Sequence, residues 1–385
     1  DFALDDNFVR DEQLARICRS IWEGPAGEGG LVGELWVESA FPAERAAKCL
    51  ADLADDGKIS AWLVEQIDRT GGVPQHRPLY QHQLEAIEAA REQAGGNPAL
   101  VVTAPTGAGK TESFLLPLLD RLASRPRQAA HGVRAIVLYP MNALVDDQVG
   151  RLHRWLDGQG QITLFHFTSA TVEELRRVDQ RVDPRYQPGD PCRFWSRRQA
   201  RGIERWDGNR VRRVKVEDGE PRGPQPDILI TNYSMLEYML CRPQDAVFFS
   251  SALEAIVLDE AHLYSGTLAA EIALLLRRVL ERCGRRPEEI LQVASSATLT
   301  EDSAQLCKFI HEIFTKPLDR VHHIIGQTAP SNMPPAAPPV AEASPEAVWQ
   351  ALDFPITTLV PAQDGLALAE DAETCEELAQ RLPAL

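Results

Sequence analysis

The sequence predicts an α/β domain in which a parallel β-sheet is flanked by helices. Three observations carry this expectation. The runs "ALVVTAP", "VRAIVLYP", "QITLFHF", "DILITNY", "AIVLDEA" and "ILQVASSAT" are short, rich in β-branched residues or Leu, and lack polar alternation. Strands buried on both faces read this way. Helical patterns such as "FLLPLLDRL" separate the runs, giving the alternation of a parallel sheet with crossover helices. Every polar constellation lies just after one of the runs, and in open sheets of this kind ligands bind outside the carboxyl ends of the strands.

Composition bounds the rest. The chain has 385 residues with 40 Lys plus Arg against 56 Asp plus Glu, a net charge of −16, and is 44% hydrophobic. That is an ordinary soluble globular composition, long enough for roughly two or three domains with a sizeable core. The acidic total argues against a general polyanion binder, but a local basic groove remains open because placement decides affinity for nucleic acid. The 7 cysteines are scattered without a C-x-x-C pair, as expected of a reduced, cytoplasmic chain with neither a disulfide framework nor a zinc knuckle. No apolar run approaches the roughly 18 to 20 residues of a membrane helix, so no membrane association is expected. The first residue is Asp1 rather than Met, the mark expected of a fragment.

Along the chain, residues 1–70 read as a small helical lead-in, with "LARICRSIW" and "AERAAKCLADLADDGKIS" at helical spacing. A winged helix is the alternative, with "DDGKIS" as its weak wing. Residues 71–328 hold the alternating strands and helices. Within them about 169–226 form an insertion without clear periodicity, and Arg193 to Lys215 carries 9 basic residues against Glu204 and Asp207. Interleaved with Phe194, Trp195 and Trp206, this island suits nucleic acid, guanidinium groups meeting phosphates and rings meeting bases. Equally it suits a solvated insertion. Residues 329–345 form a Pro-rich linker, and 346–385 an acidic, incomplete segment, read as a solvated helical face or part of a further domain. Cys192 reads as structural, and "VHHIIG", with His322 and His323, as a short strand.

The strongest constellation is "TAPTGAGKTES", a glycine-bearing loop between the strand "ALVV" and a helix. Backbone N–H groups at such a helix N-terminus favour anions. Gly107 and Gly109 let the backbone close around a β-phosphate, Lys110 reaches the β and γ oxygens, and Thr111 offers its hydroxyl to Mg²⁺. Thr106, Ala108 and Glu112 complete the segment expected to contact ATP. The second half of such a site is an acid at the end of another strand, supplied by "AIVLDEAH". Asp259 is placed to hold Mg²⁺ and Glu260 to orient and deprotonate the attacking water. Catalysis is therefore assigned to Lys110, Asp259 and Glu260.

Taken together, "A-x-x-G-x-G-K-T" from Ala104 and the "DEAH" box resemble superfamily 2 DExH/DEAH-box helicases, specifically their first RecA-like domain, over about 78–300. The resemblance implies a RecA-like P-loop NTPase fold, ATP with Mg²⁺, and a nucleic-acid strand as partner. "LYQHQLEAI" looks like the adenine-recognition motif, with Gln83 reading the base edge and Leu79 and Tyr80 in the pocket. "YPMNALVDDQ" and "TNYSML" look like strand-contacting motifs, implying contacts through Pro140, Asn142, Thr231 and Asn232. Thr168 stands where the family often has Gly-Asp-Thr, but "HFTSAT" lacks the Gly-Asp. "SSATL" looks like the coupling motif, with Ser296 and Thr298 partnered by His262. Within the superfamily the chain is most similar to repair helicases of the MrfA and Hrq type and to the large helicases of antiphage systems such as Druantia and DISARM. Those are DNA-directed 3′-to-5′ enzymes.

The family hydrolyses ATP between two RecA-like domains, the second supplying an arginine finger worth ~10³ to 10⁵ in rate in related phosphoryl-transfer enzymes. No segment here resembles that motif, so a second domain is expected from a missing C-terminal part or a partner chain, and weak hydrolysis from these residues alone. Two readings follow: an ATP-driven DNA helicase or translocase, or a nucleotide-gated clamp that recruits without unwinding. RNA as substrate stays open, since phosphate contacts carry no information about the 2′ position.

Overall fold

A computed structural model describes residues 43–91, 96–104, 107–127, 131–208, 210–214, 223–296 and 303–327, and the strand residues 359–362 and 365–368. The strands are β1 (Arg45–Cys49), β2 (Pro78–Tyr80), β3 (Ala99–Thr103), β4 (Ala135–Tyr139), β5 (Leu164–Phe167), β6 (Arg193–Phe194), β7 (Glu204–Asp207), β8 (Arg210–Arg213), β9 (Ile228–Asn232), β10 (Ala255–Leu258), β11 (Leu291–Ser296), β12 (Val321–Ile325), β13 (Leu359–Ala362) and β14 (Gly365–Leu368). The helices are α1 (Leu50–Asp55), α2 (Ala61–Arg69), α3 (Gln81–Ala89), α4 (Lys110–Ser124), α5 (Asn142–Trp155), α6 (Arg197–Ala200), α7 (Tyr233–Cys241), α8 (Gly266–Cys283) and α9 (Ser303–Phe314).

Eight strands form one parallel sheet in the order β12-β3-β11-β10-β4-β9-β5-β6. All six predicted runs contribute a strand, and "VHHIIG" adds β12 at one edge. Every residue of β3, β4 and β11 is buried, which explains the absence of polar alternation. Alternate residues still divide between two layers. Leu100, Val102, Ala135, Val137, Val257 and Val293 join the cores of α1 to α5 on one face, while Val101, Ile136, Leu138, Ile256 and Ala294 meet α7, α8 and α9 on the other. At about 1.5–3 kcal/mol per fully buried Val or Leu, these two layers are the main stabilising term.

Residues 43–69 share the first of these layers. Leu50, Leu53, Leu63, Val64 and Ile67 are buried in the same cluster as Leu100 and Val102. β1 pairs antiparallel with β2, Arg45 opposite Tyr80, and the Ser60 N–H donates to Asp120 Oδ1 of α4 at 2.7 Å. "DDGKIS" forms the turn between α1 and α2, with Gly57 at φ +64° and Ile59 buried, so it is not a wing. The lead-in before residue 43 lies outside the described residues. So does the Pro-rich linker. β13 and β14 pair antiparallel in a second unit, Pro330–Leu385, where a helical face was one expectation.

The insertion is a folded element with its own small core of Leu175, Val178, Tyr186 and Trp195. It runs from β5 through the edge strand β6 and α6 to the hairpin β7–β8, then returns into β9. Here the structure divides the basic island. Arg193 is fully buried, donates to Asp183 Oδ2 at 2.8 Å and lies 3.9 Å over the Trp195 ring. Arg201, 2% exposed, pairs with Asp245 at 2.7 Å and Glu173 at 2.6 Å. Arg198 reaches Glu174 at 2.9 Å. Arg193, Arg201 and Trp195 are committed internally, while Arg198, 28% exposed, is held in ion pairs. Arg205, Arg210, Arg212 and Arg213 remain exposed on the hairpin. Lys215 lies outside the described residues. Among the described helices none is long and apolar enough to cross a membrane.

Removing one member of a buried ion pair strands the other charge, typically at a cost of about 3–5 kcal/mol. Arg201→Ala is therefore expected to lower the free energy of urea unfolding by an amount toward the lower end of that range, since Asp245 has 0% exposure and keeps Arg242 at 3.5 Å. Arg210→Ala, on the exposed hairpin, should stay within about 0.5 kcal/mol of the parent.

Candidate functional site

The glycine loop closes β3 onto α4. Pro105 and Thr106 lie outside the described residues. Gly107 and Gly109 take φ values of +78° and +71°, which L side chains rarely adopt. Gly109 caps α4, and a Cβ there would sit 2.3 Å from Gln83 Nε2, whereas one at Gly107 would meet nothing within 4 Å. So Gly109 is fixed by packing as well as by φ. Ala108 is buried with Ala43 and Ala104 beside Tyr80. Lys110 and Thr111 open α4, where unsatisfied backbone N–H groups and the helix dipole favour an anion.

Gln83 differs from expectation. It is 1% exposed, its Oε1 accepts the Tyr80 N–H at 3.0 Å, and its Nε2 donates to the Gly109 carbonyl at 3.0 Å. Each end of the amide holds one protein partner, so in this state the buried Gln83 ties the start of α3 to the loop. Glu112, expected at the nucleotide, accepts from Arg151 Nη1 of α5 at 2.8 Å.

The carboxylate pair lies two strands from the loop, across β11. Lys110 Nζ donates to Glu260 Oε1 at 2.7 Å, joining the two halves of the site directly. Glu260 sits at φ +50° and ψ +47°, one of two non-glycine residues with positive φ among those described. Such conformations cost of order 1–3 kcal/mol and concentrate at functional sites. The bend sends Glu260 toward Lys110 while Asp259, 5% exposed, stays under the loop. Burial raises the Asp259 carboxyl above its ordinary range, against the hydrogen bond from Ser295 that lowers it. The Ser295 hydroxyl donates to Asp259 Oδ1, and the Glu260 N–H lies 3.0 Å from that same oxygen and 3.3 Å from Ser295 Oγ. Asp259 and the Thr111 hydroxyl supply only oxygen donors, a set that fits a hard divalent cation such as Mg²⁺.

Ser295 was not among the predicted residues. The register does point to it: Leu258 pairs with Ala294, so the residues that follow, Asp259 and Ser295, are level. Ser296, one further on, is buried in β11. Thr298 lies outside the described residues. His262 Nδ1 lies 3.3 Å from Glu260 Oε2, the oxygen that Lys110 does not take.

The residues expected to contact a strand gather at the carboxyl ends of β4, β9 and β5, which are neighbours in the sheet. Asn142 is exposed in the first turn of α5 and accepts from Asn232 Nδ2 at 2.7 Å. Asn232 also caps α7, its Oδ1 accepting the Met235 N–H at 2.8 Å. Pro140 is half-buried beside them. Thr231 is not available: it is fully buried and its hydroxyl donates to the Phe167 carbonyl at 2.6 Å. Thr168 is 4% exposed, with its N–H on Thr171 Oγ1 at 2.9 Å and its carbonyl accepting from Arg197 at 3.0 Å. Thr231 is still within the sheet, which is covered on both faces, and Thr168 is held in the turn that follows β5. His323, as expected of a strand residue, is hydrogen-bonded between Thr103 Oγ1 and Ser303 Oγ at 2.8 and 2.6 Å.

The profile of the DEAD/DEAH box helicase family matches residues 80–188 and 200–306. The chain is 31% identical over 301 residues to the Druantia protein DruE of Escherichia coli (strain UMEA 4076-1), a match covering 59% of this chain and 16% of DruE. It is 25% identical over 224 residues to the uncharacterized ATP-dependent helicase YprA of Bacillus subtilis (strain 168), covering 57% of this chain and 23% of YprA. Among solved structures, Mss116p bound to ssRNA and AMP-PNP superposes with a TM-score of 0.52 at 18% identity, covering 74% of this chain and 47% of that one. That likeness is one of fold. The matched region spans less than a quarter of either curated relative.

Ser295→Ala leaves the buried Asp259 carboxylate with one donor fewer. The expected loss is about 1–3 kcal/mol in unfolding free energy. Chemical denaturation checks this; an unchanged midpoint would show that Ser295 does not hold Asp259.

Proposed function

Because the chain belongs to the DEAD/DEAH box helicase family, we propose that it is the first RecA-like half of an ATP-driven DNA helicase or translocase. The motor moves 3′ to 5′, serves repair or phage defence in the cytoplasm, and is completed by a second RecA-like domain. The observation that carries the reading is the 2.7 Å ion pair between Lys110 and Glu260. Without nucleotide each charge is neutralised by the other. The polyphosphate of ATP, bound over the α4 N-terminus, competes for Lys110 and releases Glu260. The freed carboxylate then accepts a proton from the attacking water. Thr111 and Asp259 would hold Mg²⁺, which would supply charge neutralisation to the polyphosphate.

The same switch reaches the strand-binding side through two contacts. Glu112 of the loop helix holds Arg151 of α5, and Asn142 opens that helix. His262 shares Glu260 with Lys110, so loss of the Lys110 pair alters what His262 faces. The exposed arginines of the β7–β8 hairpin would add phosphate contacts to those of Asn142 and Asn232. The similarity to the Druantia protein DruE supports the phage-defence branch.

Lys110→Ala should abolish nucleotide binding. Glu260→Gln should retain binding and lower hydrolysis by about 10² to 10⁴, the usual contribution of a general base. Unwinding of 3′-tailed duplexes by the chain together with its second motor domain, with DNA and RNA side by side and Glu260→Gln as control, tests substrate and activity at once. Binding to DNA without strand separation would leave a clamp. Neutralising Arg210, Arg212 and Arg213 should reduce the slope of log affinity against log salt by about one unit for each phosphate that is no longer neutralised.

A further inference from the structure

Away from the nucleotide site, three metal-ligating side chains of different chemistry meet where the insertion joins the motor. His153 stands in the last turn of α5, and Asp190 and Cys192 immediately precede β6. His153 Nε2 lies 2.7 Å from Asp190 Oδ2, and Cys192 Sγ lies 3.0 Å from Asp190 Oδ1. All the ligand atoms fall within 4.8 Å of one another. The side chains of His153 and Asp190 are 10% and 3% exposed, and Cys192 is fully buried.

We propose that His153, Asp190 and Cys192 form a divalent-cation site, suited to zinc, that clips the insertion to the end of α5. One imidazole nitrogen, one carboxylate and one thiolate are the donors zinc takes, and the two anions balance its charge. Nothing else in the motor's chemistry uses them, since the site lies at the opposite end of α5 from Asn142. The triad is oriented in advance. Asp190 Oδ1 also accepts the Cys192 N–H at 2.8 Å, fixing the carboxylate against the thiol. The His153 ring meets the edge of Trp195 at 5.7 Å, and Arg193 covers that Trp. β6 pairs through only two residues, Arg193 and Phe194, and is the edge strand of the sheet. A clip next to it anchors the least supported strand. On uptake the thiol gives its proton to solvent as the S–metal bond forms. The imidazole proton moves from Nε2 to Nδ1, freeing the Nε2 lone pair, and one proton is released per ion.

The test is cobalt(II) binding to the chelator-treated 385-residue chain, followed by absorption. One equivalent should develop a thiolate-to-cobalt charge-transfer band that zinc removes. Cys192→Ser should lose the band and Cys283→Ser keep it. His153→Gln, which preserves a donor to Asp190, should weaken cobalt binding at least tenfold without loss of secondary structure. The proposal is overturned if no band forms, if the band survives Cys192→Ser, or if His153→Gln binds as the parent does; the triad would then be a hydrogen-bonded staple alone. These readouts do not involve ATP or DNA, so failure here is distinct from failure of the proposed motor function.

Discussion

Everything at the candidate site depends on the register of a parallel sheet. β3, β11 and β10 run side by side with Thr103 opposite Ser296 and Leu258 opposite Ala294. The ends of β3 and β11 are therefore level and β10 stops two residues earlier, which puts Asp259 level with Ser295. Lys110 arrives from the loop after β3, Ser295 from β11, and Asp259 with Glu260 from just past β10. A one-residue slip of β10 would exchange its inward and outward side chains and carry Asp259 away from Ser295. The two apolar layers hold that register, so the packing of Val101, Val257 and Val293 is what makes a 2.7 Å contact across 150 residues of sequence reproducible.

Fold and site were legible in the sequence to different depths. The strands were readable because burial on both faces suppresses polar alternation, and the loop because few sequences place two glycines and a lysine between a strand and a helix. Partnership was not readable. Arg193 and Arg201 look like members of a basic patch, and only the fold brings Asp183 and Asp245 to them, the latter from beyond β9. Gln83 reads as a base contact, and only the fold brings the loop carbonyl of Gly109 to its amide. Thr231 and Asn232 are adjacent in a motif, yet the first is fully buried within the sheet and the second, at the strand end, is partly exposed. Ser295 and Ser296 pose the same problem, decided by a register that one strand alone does not reveal.

One helix unites the regions that matter. α5 presents Asn142 at its first turn, Arg151 to the loop helix through Glu112, and His153 to the insertion at its last turn. Small rotations of this helix about its axis would move all three contacts together. The hydrophobic side of α5, Val145, Val149 and Leu152, is fully buried, which limits such motion to the rigid-body kind. Packed side chains and the Glu112–Arg151 ion pair thus tie the ends of α5 to the loop helix and to the insertion.

Glu260 bears on how the sequence itself is constrained. Its left-handed backbone would be more comfortable with glycine or asparagine, and its side chain exists for charge. The most stable sequence for this backbone is therefore not the working one. A search for stabilised variants that scores folding alone would be drawn to replace the residue proposed as the general base, and with it the carboxylate that meets Lys110.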